Sequence, residues 1–260
     1  MSAISVSGLW KEYGRQVVLE HIDLEIESGS FVALVGPSGC GKSTFLKMIL
    51  GDEVPTRGQI LIDGEPLKPE PDIDRGVVFQ RYSVFPHLTV LGNVLLALEL
   101  SGSSFWGRLW GARRKKARAE ALDMIECVGL TAAVKKFPSE LSGGMQQRLA
   151  LAQALILKPK ILLLDEPFGA LDPGIRSDIH QLVQRLWKEE GITVLMVTHD
   201  LSEAFTLGTR VIAFDRLRKR PEETSAYGAT VTFDMKVDKP VAPPSELEAD
   251  LHEAQRQAAQ

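Results

Sequence analysis

The chain has 260 residues, 44% of them hydrophobic, with a formal net charge of -4 and a pI near 5.8. That hydrophobic share supports an ordinary buried core and excludes wholesale disorder, and the acidic balance argues against a general nucleic-acid binder. The two cysteines, Cys40 and Cys127, lie far apart, which fits a reducing compartment and neither a disulfide framework nor a metal site.

In chain order, Met1 to Trp10 has no basic segment followed by an apolar core, so no secretory leader is expected. Ile4–Trp10, Val17–Leu19 and Ile22–Ile26 read as short strands joined by turns, forming a small antiparallel sheet. Phe31–Val35 is apolar at every position, as a strand covered on both faces is. A glycine-rich loop follows, then a helix from Phe45 to Leu50. Val77–Phe79 is a further strand.

Residues 87–157 are mostly helical, interrupted by glycines and Pro138. The part from about 87 to 140 is expected to be a helical subdomain inserted into the α/β core. Within it, Ser101–Arg118 (SGSSFWGRLWGARRKKAR) mixes aromatic and basic residues. It reads either as a solvated loop leading into a helix or as a surface that meets lipid headgroups or a membrane partner.

Strands at Ile161–Leu164 and Thr193–Val197 flank a helix whose Ile175, Ile179, Leu182, Val183 and Leu186 repeat at helical spacing, with Gly191 as its stop. The alternation of strands and helices predicts an α/β fold: a core with a mainly parallel sheet, an N-terminal antiparallel β subdomain and the inserted helical subdomain. Residues 1–240 form the domain, and 241–260, rich in Pro, Ala and charge, form a flexible tail with a short exposed helix. No window approaches the roughly 18 uncharged apolar residues that a spanning helix needs. Service to a membrane would therefore require docking on other chains.

The segment Gly36, Pro37, Ser38, Gly39, Cys40, Gly41, Lys42, Ser43 and Thr44 fits the phosphate-loop pattern between a strand and a helix. Glycines let consecutive backbone N–H groups converge on phosphate oxygens, and the helix N-terminus adds partial positive charge. Lys42 supplies a point charge for the β- and γ-phosphates, and Ser43 a hydroxyl for Mg²⁺. Cys40 within the loop is either a redox switch, since helix N-termini lower thiol pKa values, or a variable position whose backbone alone matters.

Ile161–Glu166 reads ILLLDE, four apolar residues running into two acids. Open α/β sheets place ligands at the carboxyl ends of their strands. Asp165 is therefore expected to hold Mg²⁺ and Glu166 to reach an attacking water.

Leu141–Arg148 reads LSGGMQQR, and here the chain resembles the ABC transporter ATPase family, over roughly residues 4–215. The resemblance implies that Tyr13 stacks on adenine and that Gln80, the Q-loop glutamine, serves Mg²⁺ and catalysis. It makes Ala170-Leu171-Asp172 the D-loop and His199 the catalytic switch histidine. Ser142, Gly143 and Gly144 would close over ATP bound to a second subunit. The one departure from the common signature is Met145 in place of Gln.

The resemblance thus implies ATP and Mg²⁺ as cofactors, and a homodimer whose motion reaches transmembrane permease subunits through the groove near Gln80. Indirectly it implies a solute-binding protein, and no nucleic acid. The chain would lie peripherally at the cytoplasmic face of the cell membrane. Gly76–Val94 and Leu164–Asp172 resemble importer ATPases of the nitrate, sulfonate and taurine group, including urea- or amide-linked relatives. An exporter or lipid-transport ATPase is the alternative. No sustained heptad run suggests a DNA-repair ATPase, and a single motif set argues against a ribosome-associated double cassette. Whether Glu166 acts as base or as positioner stays open.

Overall fold

The computed structural model describes residues 2–79, 84–102, 109–169, 171–217 and 227–237. Its first elements are β1 (Ser2–Tyr13), β2 (Gln16–Glu27), β3 (Phe31–Val35), α1 (Lys42–Leu50), β4 (Arg57–Ile62), β5 (Glu65–Pro66) and β6 (Arg75–Val78). There follow α2 (Val90–Gly102), α3 (Gly111–Cys127), α4 (Gly143–Leu155), β7 (Ile161–Asp165) and α5 (Pro173–Glu190). The last are β8 (Thr193–Val197), α6 (Leu201–Leu207), β9 (Arg210–Asp215) and β10 (Thr230–Lys236). Two compact units emerge, one from residues 1–72, 163–166 and 191–260, the other from 73–162 and 167–190.

The first unit holds the antiparallel sheet β2-β1-β4-β5. The three short strands expected before residue 27 are two long ones. In β2 the buried positions are Leu19, then Ile22, Leu24 and Ile26, so the alternation slips by one residue between 19 and 22. His21 takes up the extra residue in a left-handed conformation, φ 49°, and the register with β1 shifts there. Such a bulge bends a strand without ending it.

The same unit contains strands in the order β10-β9-β3-β8, followed by the carboxyl half of β7. β3 runs parallel to both β8 and β9, and β10 closes the edge antiparallel to β9. Every residue of β3 and β8 is buried, as double coverage requires.

In the second unit, β6 lies beside the start of β7, where the N–H groups of Lys160 and Ile161 donate to Asp74 O at 2.8 and 3.0 Å. This unit takes in the stretch expected at about 87–140 and also β6, α4 and α5. Ala117, Ala121 and Ile125 form the buried stripe of α3. Fully buried Asn93 pins the segment ahead of α2. Its Oδ1 accepts the Phe85 N–H at 2.7 Å, and its Nδ2 donates to the carbonyls of Phe85, Leu88 and Thr89 at 3.0–3.1 Å. Within Ser101–Arg118, α2 ends at Gly102 and α3 begins at Gly111. Gln80, Phe105, Trp106, Ala170 and the expected tail lie outside the described residues. No described helix is long and apolar enough to cross a membrane.

Candidate nucleotide site

The loop from Gly36 to Thr44 joins β3 to α1. Gly36, Gly39 and Gly41 have φ of 143°, 78° and 93°. A Cβ on Gly36 would stand 2.1 Å from the Phe214 carbonyl oxygen, and one on Gly41 would stand 2.8 Å from Leu19 Cδ2. Both positions thus require glycine for conformation and for space. α1 starts at Lys42, three residues before the expected Phe45, because Gly41 itself is the N-cap and its carbonyl accepts the Phe45 N–H at 2.8 Å. Lys42, Ser43 and Thr44 therefore form the first helical turn, whose N–H groups have no partner within the helix. No side chain caps Gly41. Uncapped N–H groups at a helix N-terminus are suited to an anion.

Lys42 is buried, and its Nζ donates to the carbonyls of Gly36 and Pro37 at 2.7 and 2.8 Å. The ammonium thus lies across its own loop. Ser38 and Gly39 are exposed. Cys40 is buried with its Sγ 3.6 Å from Lys42 Nζ. Burial pushes its thiol pKa up, against the pull of Lys42, so the thiolate that a redox switch needs is disfavoured.

At the end of β7 the two adjacent acids part. Asp165 Oδ1 accepts the Ser43 hydroxyl at 2.9 Å. Burial, aided by the charge of Glu166, holds the Asp165 carboxyl above its ordinary pKa, while Ser43 and Lys42 oppose the rise. Glu166 has φ 46°, a left-handed backbone rare outside glycine. Its N–H donates to Val197 O at 3.0 Å, and its Oε2 lies 3.4 Å from His199 Nδ1.

His199 sits between β8 and α6 on a braced segment. Thr198 Oγ1 donates to the buried Glu203 carboxylate at 2.7 Å and accepts the Asp200 N–H at 3.0 Å. Asp200 in turn caps α6 by accepting the Glu203 N–H at 3.2 Å. Thr198, Asp200 and Glu203 were not singled out from the sequence, although Asp-x-x-Glu before a short helix is a legible capping pattern.

The donor set fits Mg²⁺. A hydroxyl and a partly buried carboxylate are hard oxygen ligands, and nucleotide-bound Mg²⁺ takes only one or two ligands from protein. Among the described residues no cluster of three His, Cys, Asp or Glu side chains forms a site that would hold a metal by itself.

Tyr13 ends β1 and is 46% exposed. Desolvation first, then Glu53, pushes the phenol pKa up. Lys11 Nζ lies 4.8 Å from the Tyr13 ring centroid and is held by Glu53 Oε2 at 2.6 Å and Val54 O at 2.9 Å. Lys11 is buried, whereas Tyr13 is exposed. Lys11 and Glu53 carried no sequence signal, being 42 residues apart.

In the second unit Ser142 is the N-cap of α4, accepting the Met145 N–H at 3.4 Å. Gly143 and Gly144 begin the helix. A Cβ on Gly144 would come within 2.3 Å of Ile175 Cγ2, so a side chain here would force Ile175 to move. Exposed Asp172 precedes α5, and its carbonyl accepts the Arg176 N–H at 2.9 Å. The structure thus gathers Tyr13, the loop, Asp165, Glu166 and His199 in one unit, and Ser142–Gly144 with Asp172 in the other.

A family model described as ABC transporter matches residues 19–169, more than half of the chain. The chain belongs to the ABC transporter family. A model described as an AAA domain also matches, over residues 137–204.

Among known relatives of this ABC protein, the aliphatic sulfonates import ATP-binding protein SsuB 3 of Pseudomonas savastanoi pv. phaseolicola is 45% identical over 212 residues, covering 82% of this chain and 73% of its own. The bicarbonate transport ATP-binding protein CmpC of a Synechocystis species is 42% identical over 87% of this chain, which spans 32% of that longer protein. The sulfate/thiosulfate import ATP-binding protein CysA of Synechococcus elongatus is 42% identical over 82% of this chain and 60% of its own. The ATP-binding cassette MJ0796, solved as a dimer in a post-hydrolysis state with ADP and Pi, matches at a TM-score of 0.73 and 31% identity, covering 90% of this chain and 98% of that one. This ABC protein is an ATP-hydrolysing subunit with a phosphate-loop ATPase fold.

Proposed function

We propose that this ABC ATPase powers the import of a small anionic solute, a sulfonate in the first instance, through partner permease subunits fed by a solute-binding protein. The observation that carries the chemistry is the parting of two adjacent acids, Asp165 onto Ser43 and Glu166 onto His199. The direction of transport rests on the relatives, whose names specify sulfonate, sulfate/thiosulfate and bicarbonate as cargo. The chain would work peripherally at the cytoplasmic face of the membrane.

Lys42 would exchange its loop carbonyls for β- and γ-phosphate oxygens, while the N–H groups of Gly39–Thr44 cradle the phosphates. Ser43 and Asp165, with Gln80, would hold Mg²⁺, which when bound neutralises charge on the β- and γ-phosphates. Glu166 would hold the attacking water or accept its proton as that oxygen bonds to the γ-phosphorus and the bond to the β–γ bridging oxygen breaks. His199 would contact the γ-phosphate, and Tyr13 would offer its ring to adenine. Ser142–Gly144 of a second copy would donate N–H groups to the same γ-phosphate, with Asp172 beside the shared nucleotide. The dimer of the related cassette with ADP and Pi supports this arrangement.

Reconstitution with the cognate permease tests the proposal. Binding protein loaded with an alkanesulfonate is expected to stimulate ATP hydrolysis more than the same protein offered sulfate or bicarbonate. Equal stimulation by all three would overturn the solute assignment. Glu166→Gln is expected to dimerise with ATP in size-exclusion chromatography with light scattering, and Ser142→Arg to abolish that dimer. A double variant that still dimerises would overturn the sandwich.

A further inference from the structure

We propose that the start of α3, together with Trp110 ahead of it, binds an anionic lipid surface. Five basic residues, Arg113, Arg114, Lys115, Lys116 and Arg118, stand in the first two turns without an acid among them, and all five are exposed. The remaining 25 basic residues of the chain face 34 acidic ones, so positive charge is segregated here against the sign of the whole molecule.

The placement opposes the helix's own interest. A helix N-terminus carries partial positive charge and favours acids, so cations there are repelled unless an external anion takes them up. No side chain caps the helix, and the N-cap position is held by Trp110. Among the described residues internal relief is slight: Arg114 meets Glu99 at 3.8 Å, and Lys116 meets Glu120 at 3.8 Å one turn on.

Trp110 is 73% exposed, and Leu100, near the end of α2, is 61% exposed. An indole beside a cluster of cations is the pairing that suits a headgroup layer, where the ring enters the interface and the cations meet phosphates. Membrane attachment needs two such signals, because one alone binds only marginally. A bilayer with anionic headgroups supplies the complement to both.

Flotation of the full chain with vesicles tests this, using phosphatidylcholine alone against phosphatidylcholine with phosphatidylglycerol. Binding is expected only to the anionic vesicles and should weaken with salt. The triple variant Arg113→Gln, Lys115→Gln, Lys116→Gln leaves the Arg114 pair in place. At about fivefold per cation it should bind on the order of 100-fold more weakly. Trp110→Ser should weaken binding while leaving its salt dependence unchanged. Soluble ATP hydrolysis by all these variants should match the wild type, which certifies their folding. Vesicle binding is read without nucleotide, so it stands or falls separately from the transport assignment. Equal binding to both vesicle types, or no loss in the triple variant, would overturn the proposal. So would a triple variant that floats like the wild type but fails to assemble with the permease, since the surface would then belong to a protein partner.

Discussion

Glu166 joins the chemistry and the backbone in one residue, so paired substitutions can separate the two. Glu166→Gln keeps size and hydrogen bonding and removes the carboxylate. Loss of a general base typically costs 10²–10⁴-fold in rate, roughly 3–5.5 kcal/mol of barrier. ATP binding should persist, because Lys42, Ser43 and the loop are untouched. The second comparison is Glu166→Ala against Glu166→Gly. Both lack the contact to His199, so that 3.4 Å pair cancels. At φ 46° a side chain costs about 1–2 kcal/mol that glycine escapes. Glycine in turn loses about 0.5–1 kcal/mol more than alanine through unfolded-chain entropy. The balance favours glycine by about 0.5–1 kcal/mol, the reverse of an ordinary strand position. At about 2–4 °C per kcal/mol for a domain of this size, calorimetry without nucleotide should find Glu166→Gly melting about 1–4 °C above Glu166→Ala. Phosphate release with Mg-ATP reads the catalytic arm. A Glu166→Gln protein within tenfold of the wild type refutes the catalytic role, and a Glu166→Gly protein that melts below Glu166→Ala refutes the strain.

Lys42→Ala should lower ATP affinity in equilibrium binding and abolish turnover, and normal affinity would contradict the loop assignment. Asp165 has a raised pKa, so its contribution to ligand-free stability is present at low pH and lost as pH rises through that value. Asp165→Asn, which preserves an acceptor for Ser43, should therefore melt higher than the wild type at pH 7 without nucleotide. It should also lose the added protection of Mg²⁺ with ATP, and a lower melting point would refute the reasoning. Cys40→Ala should retain most turnover, because the loop works through its backbone. A reversible loss of wild-type activity with mild oxidant, absent in Cys40→Ala, would instead make the thiol a switch. Lys11→Met should raise KM for ATP about fivefold, the loss of about 1 kcal/mol of cation–π support behind Tyr13, with kcat unmoved. A fall in kcat at constant KM would show that Lys11 does something else.

The phosphate loop was legible because its chemistry is local. One turn of chain supplies the glycines, the lysine and the hydroxyl, and the flanking strand and helix set their direction. The acids at 165 and 166 and their separate directions were legible from the strand end, but the backbone turn that parts them was not. It depends on one left-handed residue, and no side-chain pattern announces a positive φ at glutamate. His199 could be named from the order of motifs, whereas its brace of Thr198, Asp200 and Glu203 shows only once the turn is built. Lys11 with Glu53, and Asn93 with the carbonyls around it, are meetings set by tertiary packing. Strands β9 and β10 escaped for another reason. β10 alternates weakly, and its register, Thr230 against Asp215, crosses a connection that no short-range rule fixes.

Phe214 shows how far from the chemistry the loop is governed. Its carbonyl oxygen stands where a Cβ of Gly36 would be, and its ring meets that of Phe45 edge-on at 5.2 Å between centroids. One residue of β9 thereby registers both the first residue of the loop and the helix that receives it. β9 thus acts as the jig against which loop and helix are set. Its outer neighbour β10 is fastened to it by the two bonds between Arg210 and Asp234, at 2.6 and 2.7 Å. A change at that outer edge would reach the nucleotide as a small error in the height of the loop, with every residue of the motif still in place.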